Sequence, residues 1–319
     1  MKKIDLNLLA LIVFIVGVVF VIVKGGFLSG IGDKFAYIQY NKEEKNKENA
    51  SGSDGNKENA SLKEEEKIMD ARYLKLPIEN NVRDKDTYYD YSNQKMAWWF
   101  KRNDEHLPSG CDDTLELSDY GAYYLDENTE DKVVYLTFDC GYENGYTEKI
   151  LNVLYEQEVP ACFFVTKTYI RDNPELTKRM KEENHQVGNH TITHPSMPTK
   201  SYEEIINEVN GCAEYMKEVT GYGMDPYLRP PMGEYSERTL MITRDLGYKT
   251  IFWSMAYVDF YVDDQPGKDY VINHFEKYHH SGAIILMHNV SSSNAEALET
   301  VIVNLKAKGY RFASLNELK

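Results

Sequence analysis

The sequence contains few cysteines and no CxxC pair. Its four cysteines, in a chain of 319 residues, are Cys111, Cys140, Cys162 and Cys212. Four in a chain this long do not describe a disulfide-stapled scaffold. Cys162 and Cys212 stand in apolar runs, as small buried hydrophobic residues do. Cys140 differs because it directly follows an aspartate at the end of an apolar run, so it alone requires a chemical explanation.

Positive charge is also scarce. The chain has 36 Lys and Arg against 51 Asp and Glu, which gives a formal net charge of −15. A strongly acidic protein repels phosphate groups, so the charge argues against nucleic acid or an anionic membrane surface as the partner. A neutral or amide-rich polymer fits the charge better.

A long hydrophobic run occurs once, from Leu6 to Val23, between Lys2-Lys3 and Lys24. Its roughly 18 residues would give a helix of about 27 Å, just enough to cross a bilayer core. A cleaved signal peptide usually has a shorter apolar core and a small-x-small cleavage site, and neither is clear here. We therefore expect residues 1–24 to be a single-pass signal anchor with the body outside the cytoplasm. Cleavage and secretion are the alternative.

Two segments of different composition separate this run from the rest of the chain. Residues 25–67 are rich in Lys, Glu, Asn, Ser and Gly, and repeat Asn-Lys-Glu-Asn-Ala-Ser at 46–51 and 56–61. Such a segment buries too little apolar surface to offset its ordering entropy, which predicts a flexible tether. Residues 68–130 are predicted to form an aromatic-rich extension packed on the domain that follows it. Its cluster Trp98-Trp99-Phe100-Lys101-Arg102 is either a sugar-stacking surface or a plug at one end of the domain.

Strand and helix patterns alternate from residue 131 to 319. The predicted strands are Val133–Phe138, Ala161–Val165, Gln186–Asn189, Tyr227–Arg229, Lys249–Met255, Ala283–Met287 and Tyr310–Ala313. Repeated βα units indicate parallel strands. We predict an α/β fold, a distorted and incomplete (β/α) barrel of about seven parallel strands.

Chemically active side chains follow five of these strands. They are Asp139 and Cys140, His190 and His194, Arg229, Asp259, and His288. In parallel α/β folds the carboxyl ends of the strands share one edge, where catalytic groups collect. For any one of these positions a structural reading remains open, such as Asp139 capping a turn. Together they predict a site.

The His190 and His194 pair suggests a metal site. Residues four apart lie on one side of a helical turn, a common arrangement for zinc or a similar divalent ion. Surface histidines are the alternative. A third, anionic ligand near Asp139 and Cys140 would leave a coordination position open for water, whose pKa would fall toward ~7.

Five ordered motifs resemble those of the polysaccharide deacetylases, carbohydrate esterase family 4. They are Thr137-Phe-Asp139-Cys140-Gly141, His190-Thr-Ile-Thr-His194, Arg229-Pro-Pro-Met-Gly233, Asp259-Phe260 and Leu286-Met-His288. The resemblance covers about residues 131–319. The loop Gly141–Thr147 and the Trp98-Trp99 segment further resemble the branch that deacetylates muramic acid in spore-cortex peptidoglycan, the delta-lactam-biosynthetic de-N-acetylases.

The resemblance implies a role for each site residue. Asp139 would be the general base and His288 the general acid, with Arg229 keeping Asp139 ionised and Asp259 orienting His288. The metal ligands would be His190 and His194, and the oxyanion would be held by the metal and a backbone N–H near Met232. The substrate groove would be lined by Tyr142, Glu143, Asn144, Pro231, Met232 and Gly233.

The sequence departs from the family pattern at three positions. Cys140 stands where most members have a second Asp and the muramic-acid branch often has Asn. A thiolate would complete the metal site and favour zinc, whereas a neutral thiol would leave the ion on two histidines. Met232 and Phe260 replace common aromatic residues, which would reshape the groove without removing chemistry.

The resemblance thus implies metal-dependent deacetylation of N-acetylmuramic acid in peptidoglycan, leading to muramic δ-lactam in spore cortex. Two alternatives remain. One is an N-acetylglucosamine deacetylase acting on peptidoglycan or another polysaccharide. The other is a catalytically weak wall-binding protein whose metal site is spoiled by Cys140.

Overall fold

The computed structural model describes residues 83–111, 115–127, 129 and 131–318. The predicted signal anchor at 1–24, the tether at 25–67 and the first part of the extension lie outside these residues. Within the described part, no helix is both long and apolar enough to cross a bilayer.

Twelve strands and seven α-helices make up the described part of the chain. The strands are β1 Met96–Ala97, β2 Phe100–Lys101, β3 Gly110–Cys111, β4 Ala122–Tyr123, β5 Val133–Cys140, β6 Ala161–Val165, β7 Gln186–Asn189, β8 Tyr227–Leu228, β9 Glu234–Tyr235, β10 Lys249–Ile251, β11 Ala283–His288 and β12 Arg311–Phe312. The helices are α1 Thr147–Glu156, α2 Lys167–Asp172, α3 Pro174–Glu182, α4 Tyr202–Thr220, α5 Glu237–Asp245, α6 Lys268–Tyr278 and α7 Ser292–Ala307.

The main sheet has eight strands in the order β11-β5-β6-β7-β8-β10-β4, with β12 beside β5. Every neighbouring pair is parallel. The two ends of this order approach each other at single bridges, Met255 to Ile285 and Leu125 to Ala283. The sheet therefore curls into an irregular barrel, and the predicted α/β fold with parallel strands is confirmed.

One strand of the sheet was not predicted. The strand β4 pairs with β10, and it comes from the segment that the sequence analysis assigned to the N-terminal extension. Two residues give too short an alternation to register as a strand pattern in the sequence. The extension thus contributes to the sheet itself.

Both faces of β5 are buried, which explains its uninterrupted apolar run. Val134, Leu136 and Phe138 pack in the core between the sheet and the helices. Val133 and Tyr135 belong to a separate cluster inside the barrel. Because side chains alternate along a strand, this parity also decides which way the last residues of β5 point.

The aromatic cluster of the extension divides between two environments. Trp98 is 6% exposed, stacks on Phe252 and donates from Nε1 to the carbonyl of Trp253 at 2.9 Å. Trp99, the next residue, is 75% exposed. The plug interpretation is therefore correct for Trp98 and does not describe Trp99.

Gly188 on β7 makes room for Phe164, the ring on which Arg229 lies with its Cζ 4.3 Å from the centroid. A methyl group at residue 188 would lie 2.7 Å from Phe164 Cδ1 and 2.9 Å from the carbonyl oxygen of Tyr227. We expect Gly188→Ala to lower the free energy of unfolding by about 1–3 kcal/mol, the usual cost of overpacking. Urea unfolding measures this. The control is Gly223→Ala, which meets no atom within 4 Å and should change stability by less than about 1 kcal/mol. Equal effects of the two substitutions would contradict the prediction.

Candidate active site

The predicted catalytic groups converge at the carboxyl edge of the barrel. Asp139, near the end of β5, is the register partner of His288 at the end of β11. Arg229 directly follows β8, and its Nη1 lies 2.8 Å from Asp139 Oδ1. The other carboxylate oxygen of Asp139 lies 3.6 Å from Nε2 of His190, which follows β7. Four strand ends therefore supply one cluster.

The carboxylate of Asp139 is held in its ionised form. Burial by itself would raise its pKa, but the positive charge of Arg229 and the nearby His190 and His288 outweigh burial, and the pKa is lowered. Arg229 is fully buried and also donates to the carbonyls of Ile251 and Phe252. A base of this kind stays ready to accept a proton at neutral pH.

The two histidines meet, but the helical reason given for their spacing is wrong. His190 and His194 lie in an irregular loop after β7, with ring centroids 4.8 Å apart and planes at 72°. Thr191 and His194 both have a positive φ, of 68° and 56°. These left-handed residues turn the chain back on itself, so the rings meet without a helix. His190 is buried, whereas His194 is exposed.

Glu208 on α4 stabilises this loop, and the sequence analysis missed it. Its carboxylate accepts hydrogen bonds from the N–H groups of Ile192 and Thr193, at 2.9 and 2.8 Å, and from the Thr193 hydroxyl at 2.7 Å. An ionised acceptor makes such bonds stronger than a neutral one would, which offsets the cost of the left-handed backbone. The sequence offered little signal, since a glutamate in an amphipathic helix usually faces solvent.

The protonation of His190 suits it as a metal ligand. Its Nδ1 lies 2.8 Å from the carbonyl oxygen of Arg229, which can only accept, so Nδ1 carries the proton and Nε2 keeps its lone pair. Burial lowers the pKa of His190 to about 4, and burial also lowers the pKa of His194. Two neutral imidazoles side by side fit a divalent ion. Among the described residues, however, no three His, Cys, Asp or Glu side chains converge closely enough to hold one.

Cys140 is not part of the cluster. Its side chain packs in the core between the sheet and the helices, on the face of β5 opposite to Asp139, and its Sγ lies 3.8 Å from the carbonyl of Phe138. Burial raises the pKa of the Cys140 thiol well above its usual range. This arrangement argues against the predicted thiolate ligand and favours the alternative of a neutral thiol. The reason is the strand alternation, which separates adjacent residues onto opposite faces.

The pair of His288 and Asp259 is formed as predicted. Nδ1 of His288 lies 2.6 Å from Asp259 Oδ1, and the His288 backbone N–H donates to Oδ2 at 2.8 Å. Burial acts to lower the pKa of His288, but the Asp259 carboxylate outweighs it, and the pKa is raised. With Nδ1 occupied, Nε2 is the atom left to donate a proton toward the site.

Two further residues extend this pair, and the sequence analysis missed both. Asn294 donates from Nδ2 to Asp259 Oδ2 at 2.6 Å and to the carbonyl of His288 at 3.1 Å. The hydroxyl of Tyr257 donates to Asn294 Oδ1 at 2.6 Å, which fixes the orientation of the amide. The signal in the sequence was Ser291 as an N-cap, which places Asn294 in the first turn of α7.

The predicted groove residues have different surroundings. Tyr142 and Met232 are exposed, Asn144 is exposed and donates to the carbonyl of Val290, and Pro231 and Gly233 are buried. Glu143 is occupied internally, since its carboxylate accepts from the backbone of Gly145 and Thr147 at the start of α1. These hydrogen bonds indicate that Glu143 stabilises the start of α1, and they do not support the predicted contact with substrate.

We expect Cys140→Ser to leave metal affinity unchanged, because the thiol faces the helices and not the imidazoles. Losing even a residue that only supports a ligand costs roughly 10–100-fold in affinity, so losing a true ligand would be easily detected. Zinc titration by calorimetry provides the measurement. A weakening of tenfold or more, with His190→Ala as the positive control, would restore the thiolate ligand.

Comparison with known proteins identifies the family. The polysaccharide deacetylase family model matches residues 126–251. The peptidoglycan-N-acetylmuramic acid deacetylase PdaA of Bacillus subtilis is 45% identical over 228 residues, which are 71% of this chain and 86% of that protein. The structure of B. subtilis PdaA, a family 4 carbohydrate esterase, has a TM-score of 0.69 and 45% identity, covering 71% of this chain and 97% of that one. The peptidoglycan-N-acetylglucosamine deacetylase of Bacillus cereus is 31% identical over 64% of this chain and 95% of its own length. With these similarities and the strand-end cluster together, the chain belongs to the polysaccharide deacetylase family, carbohydrate esterase family 4.

Proposed function

We propose that this protein hydrolyses the N-acetyl group of N-acetylmuramic acid in peptidoglycan. The observation that carries the proposal is the position of Asp139, ionised beside Arg229, between the imidazole of His190 and the register partner His288. Amide hydrolysis needs a base to activate water and an acid to protonate the amine, and these are the two ends of that cluster. The relative with 45% identity is named for the same reaction.

Each side chain of the cluster has a separate role in the proposed reaction. Asp139 takes the proton from the attacking water, and Arg229 stabilises the carboxylate before that step. His288 donates its proton from Nε2 to the departing nitrogen, because without that proton the nitrogen would have to leave as an amide anion, a very poor leaving group. Asp259 stabilises the imidazolium form of His288 and holds its ring in place. A backbone N–H near Met232 would stabilise the oxyanion.

The residues that would hold a divalent ion are His190 and His194. When bound, the ion would activate water and polarise the acetyl carbonyl. Imidazole ligands suit zinc, and we propose zinc as the metal. The additional argument for zinc from a Cys140 thiolate no longer applies, because that thiol lies on the other face of β5.

The finer assignment is muramic acid in spore cortex, where the freed amine would close onto the lactyl carboxyl to give muramic δ-lactam. Support comes from the resemblance of the Gly141–Thr147 loop to that branch and from the higher identity to the muramic acid deacetylase, 45% against 31% for the glucosamine enzyme. N-acetylglucosamine deacetylation is the second candidate. We further propose that residues 1–24 anchor the protein in the membrane, with the catalytic domain outside the cytoplasm.

The experiment compares acetate release from peptide-free glycan strands and from chitooligosaccharides, with zinc added to metal-free protein. Release from the first alone supports muramic acid, whereas release from chitooligosaccharides alone supports the second candidate. Absence of both zinc binding and acetate release from either polymer would support the wall-binding alternative. Mass spectrometry of cortex muropeptides, with and without the protein, then tests whether muramic δ-lactam depends on it.

We expect Asp139→Asn to reduce acetate release by at least about 100-fold, the lower end of what a general base contributes. Metal content should stay near that of the original protein, because the imidazoles remain. Acetate assay and elemental analysis of the same sample give both values. Asp172→Asn, a substitution of an exposed carboxylate paired with Arg171, is the control. Loss of metal together with activity would make Asp139 a ligand instead.

The raised pKa of His288 predicts the alkaline side of the pH profile. Activity should fall as pH rises through that pKa, because the acid must be protonated. Asp259→Asn removes the charge that raises the pKa, so the alkaline limb of kcat/KM should move to lower pH. Asp264→Asn, an exposed carboxylate on the same loop, should leave the limb in place. An unshifted limb in Asp259→Asn would show that another group sets it.

A further inference from the structure

An exposed aromatic residue lies beside the active-site motif that contains Arg229. The strand β1 pairs with β9 in the register Met96 to Tyr235 and Ala97 to Glu234. The next step of this register is formed as well, since the Trp98 N–H donates to the carbonyl of Gly233 at 2.8 Å. Trp99 and Met232 are the next residues along the two chains. Met232 has a φ of 59°, in the left-handed region, so the ladder ends at that point.

Both residues at this position are apolar and face solvent. Trp99 is 75% exposed and Met232 is 55% exposed. Each is the chain neighbour of the hydrogen-bonded pair Trp98 and Gly233, so both side chains lie at the same end of the β1–β9 ladder. An indole left in water beside a methionine forgoes the free energy of burial, which is expected where a ligand covers the surface. We call the surface of these two side chains the Trp99 platform.

The Trp99 platform is rigidly connected to the catalytic base. Trp98 donates to the carbonyl of Trp253, and the Trp253 ring lies 5.6 Å from the guanidinium carbon of Arg229. Arg229 in turn holds Asp139. On the other side of Trp99, Phe100 pairs with Cys111 in β2 and β3. The indole is thus carried on backbone that is hydrogen-bonded both before and after it, and little ordering entropy is lost when a ligand binds.

The chemistry of the platform selects its ligand. A pyranose ring presents a face of C–H groups that packs against an indole, while its hydroxyls stay in water. A continuous polysaccharide substrate extends past the reacting sugar on at least one side. The platform includes Met232 of the motif of residues 229–233, so a glycan chain that extends from the site on this side would meet it.

We propose that Trp99, with Met232, binds the sugar residue next to the one that is deacetylated. The inference rests on the proposed function and deepens it, because it makes the enzyme selective for glycan strands over short fragments. It also gives the N-terminal extension a function in substrate recognition, outside the segment that matches the family model.

The test is Trp99→Ala assayed on two peptide-free substrates, the monosaccharide N-acetylmuramic acid and a hexasaccharide that contains it. We expect kcat/KM on the hexasaccharide to fall about tenfold, the effect of leaving one aromatic contact unmade. On the monosaccharide, which has no neighbouring sugar, it should stay unchanged. Trp99→Tyr should recover most of the loss, because an aromatic face is retained. Tyr155→Ala, which removes another exposed aromatic ring, on α1, should match the original protein on both substrates.

Binding measured separately keeps this inference distinct from the proposed function. Titration of the hexasaccharide by calorimetry should show weaker binding in Trp99→Ala than in the original protein. If the original protein binds the hexasaccharide through Trp99 but releases no acetate, the proposed function fails and the platform stands. Equal losses on both substrates, or no loss on either, would overturn the platform while leaving the proposed function intact.

Discussion

The site depends on one buried ion pair, between Arg229 and Asp139. Arg229 is 0% exposed, and its guanidinium is satisfied by the Asp139 carboxylate, by two backbone carbonyls and by the ring of Phe164. Burying a charge is costly unless every donor has a partner, and breaking such a pair costs about 3–5 kcal/mol. The barrel therefore has to fold with the base ionised and in place. The same interaction that links the end of β8 to β5 also keeps the carboxylate in the ionised form that the proposed base requires.

Polar residues behind the site serve its geometry in a similar way. Glu208 satisfies the backbone of the His190–His194 loop, and Asn294 fixes the carboxylate of Asp259. Both come from helices on the outside of the sheet, and neither faces the groove. Each replaces water as the partner of a group that the fold buries, which keeps the imidazoles in one orientation. The proposed site residues thus owe their positions to groups that have no proposed part in the reaction.

The fold and most of the strand-end cluster could be predicted from the sequence, for a physical reason. Parallel strands buried on both faces are continuous apolar runs, so a polar residue at the end of one is conspicuous, as with Asp139 and His288. Sequence reasoning was wrong or silent where the outcome depends on backbone conformation or on contacts between residues far apart in the chain. The spacing of His190 and His194 suggested a helix, whereas two left-handed residues bring the rings together. The strand β4 was too short to leave a pattern, and Asn294 and Tyr257 lie far from the motifs that they support.

Cys140 shows the difference between what the sequence determines and what the tertiary structure determines. The sequence by itself established that a thiol follows the aspartate at the end of an apolar strand, that strand ends carry acids and imidazoles, and that the parallel α/β class brings those ends to one edge. Only the tertiary structure decided that the thiol faces the helices, that Glu143 accepts hydrogen bonds from the backbone of Gly145 and Thr147, and that Trp98 is buried while Trp99 is exposed. The physical reason is that composition and the spacing of apolar residues indicate which residues belong to the same helix or strand. The direction of each side chain depends instead on its position in the alternation along the strand and on what packs against each face of the sheet.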